Sequence, residues 1–447
     1  MEKQYRYPGT SPFLEKDRYL FFGRNTDIKE LTKLIVLENL VVLFGKSGYG
    51  KSSLLNAGVI PELRKRKKHQ VHNIRLITPK EENAPKLSPM DLVLHQLINH
   101  PSDSGFLTDK FNIPAELPDD PTANIWYQAK NIQGTQIDSA AITLIFDQFE
   151  ELANFPENQV EAFSQTLAAL LNLDVPKSVR QLMRLKMEAD PGYFTKAEIH
   201  HVLKPLNLKV VFSVHSDHLN LLDKLKGSLP AIFKHTYELQ PLNEMEAREA
   251  LLKPAKIEGK EYKSPVFSFA PEALERIIGS LKDKKTQRIE TFQLQLIGQH
   301  AEACILAKEE KRKTQQKTKL ERAKLEYTDQ DLGRIEDIFK NHYKKIIAGL
   351  PRSDRGKAIE LIEEVLIIKG HRVPLPEIVI LEVHHISLGL LNTLVDKRLL
   401  RSEVNTVDGL SYELSHDTLV KPIQEAAKNR RQRKRWLWAI AVFTVII

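Results

Sequence analysis

The chain has 447 residues, too many for one ordinary domain, so about two to four are expected. Its 42% hydrophobic and 28% charged residues exclude a disordered protein, and a single cysteine, Cys304, excludes an internal disulfide framework. The formal charge of +8 is unevenly placed, in Arg64 to Lys68, between Lys308 and Lys324, and in Arg430 to Arg435. Each run is either a solvated face or a surface for nucleic acid or anionic lipid.

The N-terminus has no apolar core of the length a signal peptide needs, so the body is expected to stay in the cytosol. An aromatic run, Tyr19 to Phe22, closes on Gly23-Arg24. Asn25 reads as a helix cap, and Ile28, Leu31, Leu34 and Ile35 continue at helical spacing through Glu38. The apolar run Leu40 to Phe44 then breaks at Gly45, and the residues Gly45, Lys46, Ser47, Gly48, Tyr49, Gly50, Lys51 and Ser52 read G-x-x-x-x-G-K-S. This is a phosphate-binding loop between a strand and a helix. Its glycines let backbone N–H groups converge, and the helix starting at Lys51, Ser52 and Ser53 adds its positive end. Lys51 supplies a cation for the β/γ-phosphates of ATP or ADP, and Ser52 offers a hydroxyl to Mg2+.

The loop helix is expected to reach about Ala57, with Pro61 interrupting. Val71 to Ile77 reads as a strand, Ser88 to about His100 as a helix with Asp91 at the capping-box position, and residues 101–122 as a loop. Ile142 to Phe146 reads as a strand buried on both faces, and Gln159 to Leu173 as an amphipathic helix. A polar stretch from Pro176 to Pro205 looks like an insertion before the strand Leu208 to Val214. Strands alternating with helices predict a parallel α/β sheet with its chemistry at the C-terminal strand ends. That edge would gather Gly45 to Lys51, Asp147 to Glu151 and His215 to Asp217. There Asp147 is the candidate magnesium carboxylate, Glu150 and Glu151 (Glu151 preferred) are the candidates for polarising water, and His215 and Asp217 are the candidates for sensing the γ-phosphate.

From Tyr237 the chain reads as helical, with helices at Asn243 to Lys253, Ala270 to Leu281, Ile289 to Leu306, Asp329 to Ala348 and residues 354–368. His371 to Val407, Leu410 to Leu414 and a final helix from about Asp417 suit a winged-helix-like unit. Arg430 to Arg435 is followed by Trp436 to Ile447, twelve residues without charge. As a helix these span roughly 18 Å of a hydrocarbon core of roughly 30 Å, so the tail reads as the start of a transmembrane segment with a cytoplasmic basic flank. The expected organisation is 1–236, a P-loop NTPase domain; 237–350, a helical domain; 351–427, a winged-helix-like domain; and 428–447, the flank and apolar start.

On Phe21 to Arg24, Gly45 to Pro61, Asp147 to Glu151, Leu239 to Pro254 and Ile289 to Gln295, the chain resembles the novel-STAND branch of bacterial signalling P-loop ATPases, from about Tyr7 to Ala426. The resemblance implies that Gly23 and Arg24 lie near the nucleotide, that Pro241 contacts adenine, and that His416 touches the ADP phosphate. It further implies an ATP-driven switch in signalling or defence, with slow hydrolysis and self-association on activation. An ADP-locked scaffold and a DNA-binding regulator are the alternatives, with nucleic acid the less expected partner. Members of the branch usually carry arginine at the position of His215. A free histidine is only about a quarter charged at pH 7, so weaker or pH-dependent sensing is expected here.

Overall fold

The computed structural model describes residues 3–66, 69–77, 87–98, 113–133, 141–172, 175–314, 324–405, 409–415 and 419–432. Five strands, β1 (Leu40–Gly45), β2 (His69–Ile74), β3 (Ala141–Phe146), β4 (Leu208–His215) and β5 (Thr236–Glu238), form one parallel sheet in the spatial order β2-β3-β4-β1-β5. Val42, Leu144, Phe146, Phe212 and Val214 pack into one helical layer, while Val41, Leu43, Ile145 and Val211 pack into the other. Burial on both faces is why β1, β3 and β4 read as continuous apolar runs. The short edge strand β5 has no such run, and it carries the sheet two residues past the boundary expected at 236.

Several helices differ from the expected ones. The loop helix does not stop at Pro61: Lys51–Ser53 continues through a π-helical turn, Leu54–Val59, into Ile60–Lys65. The wider turn precedes the residue that lacks an N–H, and Pro61 lies in the first turn of the last segment, where no donor is needed. Asp119-Asp120-Pro121, read as loop chemistry, is a helix start. The Asp120 side chain accepts the Ala123 N–H at 2.9 Å and opens the helix Pro121–Gln133. The stretch read as an insertion forms two helices, Lys177–Ala189 and Lys196–Leu203. The capping box at Ser88 and Asp91 is present, with bonds of 2.8 and 3.2 Å.

Beyond the sheet lie Glu244–Lys256, Pro271–Leu281, Thr291–Thr314 and Ile335–Ala348, the last separated from Asp329–Leu332 by Gly333 at φ +55°. Helices Glu377–Glu382 and Leu388–Asp396 lead into the antiparallel hairpin Leu400–Asn405 and Gly409–Leu414, and a helix covers 420–432. One core joins this whole region from Leu242 to Ala426, and Tyr7 packs in it. Beside it, the backbone N–H of Arg6 meets the buried Glu302 carboxylate at 2.9 and 3.0 Å, and its guanidinium bonds the carbonyls of Pro254 and Ile257 at 2.8 and 2.7 Å. The N-terminal segment therefore reaches from the helical region back to the sheet. Among the described residues no helix is long and apolar enough to cross a membrane, and Trp436 to Ile447 lie outside them.

Candidate nucleotide site

Register decides what meets at the sheet edge. β1 pairs Gly45 with His215 of β4, and β3 pairs Phe146 with Phe212 of β4. The residues that follow must emerge side by side, so the phosphate loop, Asp147 to Glu151 and His215 to Asp217 converge as the sequence implies.

Gly48 and Gly50 sit at φ +80° and +93°, a region that side chains rarely adopt. The Lys51 ammonium arches back to the Gly45 carbonyl at 2.6 Å. Burial lowers its pKa, and Glu150 and Asp147 oppose that shift. Two contacts tie the loop to the rest of the chain. Arg24, 4% exposed, donates to the Tyr49 and Gln240 carbonyls at 2.8 Å each and to Asp27 Oδ2 at 2.9 Å. The Thr291 hydroxyl donates to the Gly48 carbonyl. Gly23, at φ +81°, leaves no room for a side chain: a Cβ there would lie 2.3 Å from the Glu246 carbonyl oxygen.

Phe149 anchors the acidic turn. It is fully buried among Phe146, Phe163 and Phe212, 4.1 Å from the Phe212 centroid, and the preceding Gln148 is bent to φ +57°. Asp147 is thereby held at the sheet edge, its Oδ1 accepting from Ser213 Oγ at 3.2 Å and from the Gln148 N–H at 3.1 Å. The two glutamates diverge. Glu151 forms an ion pair with Arg75, Nε to Oε2 at 3.3 Å, and Arg75 also reaches Gln148. Glu150 instead accepts the His215 N–H at 3.3 Å; burial raises its pKa, with Lys51 as the main opposing charge.

His215 is 6% exposed, and its Nδ1 accepts the Asp217 N–H at 3.2 Å. A neutral ring accepting at Nδ1 carries its proton on Nε2. That Nε2 is buried and has no hydrogen-bond partner among the described residues. Burial first, then the Lys51 charge, pushes the pKa of His215 down to about 3. The partial charge expected at pH 7 is therefore absent, because desolvation outweighs the attraction of Asp217.

Part of this set lines a cavity of about 520 Å³, a volume ordinary for a small-molecule site, and Asp147 and Asp217 are not in its lining. Its walls include Ser47 to Ser53, Arg24, Arg75, Glu150, Glu151 and His215. Phe13, Phe21, Phe22, Leu242, Ala250 and Leu294 add an apolar surface, and Arg398, Arg401 and Ser415 come from the C-terminal unit. Ser53 Oγ accepts the Phe13 N–H at 3.1 Å. The donor set fits a nucleotide, with loop amides and Lys51 for phosphates and rings for a base. The Ser52 hydroxyl and the Asp147 carboxylate are hard oxygen ligands suited to Mg2+. Pro241 is not in this lining: it is buried, and its carbonyl takes Arg288 Nη1 at 2.9 Å, while Leu242 beside it faces the cavity. His416 lies outside the described residues. Sequence reasoning did not assign Arg75, Thr291, Arg398 or Arg401 to the site. Thr291 alone carried a signal, in the run Ile289 to Gln295 on which the family resemblance partly rests.

No curated protein matches the chain. Among solved structures it is similar to the ORC1 protein of Aeropyrum pernix in complex with DNA (TM-score 0.44, 12% identity, covering 96% of this chain and 100% of that one). It is also similar to Cdc6p of Pyrobaculum aerophilum (0.41, 15%, 93% and 97%) and to a Walker-type ATPase of Pyrococcus abyssi (0.39, 14%, 92% and 98%). The family model described as Novel STAND NTPase 1 matches residues 7–439, and with an α/β P-loop core followed by a helical region the chain belongs to that family of NTPases.

Proposed function

We propose that the chain is an ATP-driven conformational switch whose slow hydrolysis resets it. The observation that carries this reading is the cavity's make-up: its walls come from the N-terminal segment, the phosphate loop, the helical region and the C-terminal hairpin unit. A ligand there lies against four parts of the chain, so its chemical state can bias how those parts sit together. Moving a switch from 1:99 to 99:1 takes about 5.5 kcal/mol of differential binding, and two or three charge-assisted contacts of roughly 1.5–3 kcal/mol each reach that.

In this reading Lys51 holds the outer phosphates, and Ser52 and Asp147 hold Mg2+. Bound Mg2+ would supply charge neutralisation at those phosphates. Glu150, rather than Glu151, orients water and takes its proton. Its burial raises its basicity, whereas Glu151 is committed to Arg75. His215 donates its Nε2–H to a phosphate oxygen as a neutral group. The C-terminal unit would serve as a winged-helix-like lever, with His416 as a further phosphate contact. A role in signalling or defence, self-association on activation, and a cytoplasmic body tethered through the apolar tail complete the proposal.

Single-turnover ATP hydrolysis tests it. Lys51→Ala is expected to abolish nucleotide binding, and Glu150→Gln to slow phosphate release by about 10²–10⁴-fold. Glu151→Gln should cost less than about tenfold, because it leaves Glu150 in place. Phosphate release by the native chain no faster than by Glu150→Gln would favour the ADP-locked scaffold instead.

A further inference from the structure

Two successive carbonyls of the phosphate loop are held by groups from outside it. The Gly48 carbonyl accepts from the Thr291 hydroxyl, and the Tyr49 carbonyl accepts from Arg24 Nη2 at 2.8 Å. In a trans peptide the C=O and the following N–H point in opposite directions, and among the described residues no peptide is cis. Holding the two oxygens toward Thr291 and Arg24 therefore turns the N–H groups of Tyr49 and Gly50 the other way. The Tyr49 N–H accordingly points into the loop, toward the Lys46 carbonyl at 3.4 Å, an oxygen that Lys51 Nζ also meets at 3.4 Å. A bond of that length is weak, so this N–H is available to an anion.

Thr291 is placed by the linker between the sheet and the helical region. The Leu239 N–H bonds the Phe44 carbonyl of β1 at 2.8 Å, and Leu242 exchanges two backbone bonds with Ile289, at 3.0 and 2.8 Å. Arg288 Nη1 adds a bond to the Pro241 carbonyl at 2.9 Å. Thr291 follows at the start of Thr291–Thr314, partly buried in the cavity wall. Arg24 is tied to the same linker through the Gln240 carbonyl at 2.8 Å. Both holds on the loop thus ride on residues 239–242, where the helical region leaves the sheet.

The freedom of glycine is what makes a hold necessary. Gly48 sits at φ +80° without a side chain, so the peptide unit between Gly48 and Tyr49 can turn over at little steric cost. Turned over, it would put a carbonyl oxygen where a phosphate needs an N–H. Resting on the reading of the cavity as a nucleotide site, we propose that Thr291 is a positioning residue for phosphate binding, its hydroxyl locking the Gly48–Tyr49 peptide with the N–H toward the β-phosphate. Thr291 belongs to the helical region, so a helical region that moves away releases the peptide and the loop loses its grip. By linkage, a phosphate on that N–H favours the arrangement in which Thr291 reaches Gly48.

The test measures nucleotide affinity of the full chain by calorimetry and competition. Thr291→Val keeps the shape of threonine and removes the donor, and Thr291→Ala removes the donor without setting a methyl group against the carbonyl. In both, affinity for Mg-ATP and Mg-ADP should fall about three- to tenfold, while affinity for AMP, which has no β-phosphate, stays within about twofold. Thr291→Ser keeps the donor and should bind all three nucleotides within about twofold of the native chain. Native-like Mg-ADP affinity in both donor-less variants overturns the assignment. An equal loss for AMP, or no recovery in Thr291→Ser, assigns Thr291 a structural role and also overturns it. Lys51→Ala separates the two levels: its retaining native affinity sinks the nucleotide reading itself, whereas its losing affinity while Thr291→Val and Thr291→Ala do not sinks only the positioning role.

Discussion

Lys51 sets the electrostatics of the site at the scale of single residues. Its charge opposes the burial that raises the Glu150 pKa and adds to the burial that lowers the His215 pKa. The sequence placed His215 at the strand end but could not reveal its charge, which depends on how completely the fold buries the ring. It preferred Glu151 to Glu150, with no sign of the difference in their surroundings. That difference comes from Arg75, 75 residues away in sequence number from Glu150 and at the end of β2. A neutral donor at 215 predicts a specific substitution pattern. His215→Gln can present an amide N–H and should hold Mg-ATP within about threefold of the native chain. His215→Leu, which presents none, should lose about fivefold, the worth of one neutral hydrogen bond. Titration calorimetry between pH 6.5 and 8 reads both, and a step in affinity that vanishes in His215→Gln would show the ring to be ionising after all.

Elements reveal where local patterns speak and where they fall silent. β1, β3, β4 and the capping box at Ser88 were legible because a buried strand and a reciprocal cap are written in adjacent residues. The helix Pro121–Gln133 was not, since its Asp-Pro start is also turn chemistry and only its packing settles which. Gly298 makes the same point within Thr291–Thr314. On propensity alone, alanine there stabilises a helix by up to about 1 kcal/mol. In the folded chain its Cβ would lie 2.4 Å from the ring of Tyr7, which is fully buried. Overpacking of this kind costs about 1–3 kcal/mol, so the net effect of Gly298→Ala is destabilisation and loosening of the N-terminal segment. Urea unfolding and protease susceptibility near Tyr7 measure it; a more stable Gly298→Ala variant would mean that the segment yields without cost.

For the whole molecule, histidine burial fixes how stability depends on pH, something composition alone could not show. Besides His215 at about 3, burial first pushes His201 and His342 down to about 4, helped by Lys130 and Lys345 respectively. They sit in β4, in Lys196–Leu203 and in Ile335–Ala348, so both the sheet and the helical region are affected. In the unfolded chain each histidine takes up a proton near pH 6.5, while in the folded chain it stays neutral until pH 3–4. The unfolded state thus binds more protons across that window. Stability is complete above about pH 6.5 and falls as pH drops toward the folded values, by at most about 1.4 kcal/mol per pH unit for each histidine. Glu150 acts in the opposite sense, because its raised pKa favours the folded state at lower pH. One carboxylate against three histidines does not reverse the sign. The native chain should therefore melt several degrees lower at pH 5.5 than at pH 7.5, and the double variant His201→Gln/His342→Gln should show a shallower dependence. An equal or higher melting temperature at pH 5.5 would mean that these rings find solvent or a carboxylate in the folded chain, and the closed packing around the nucleotide site would have to be redrawn.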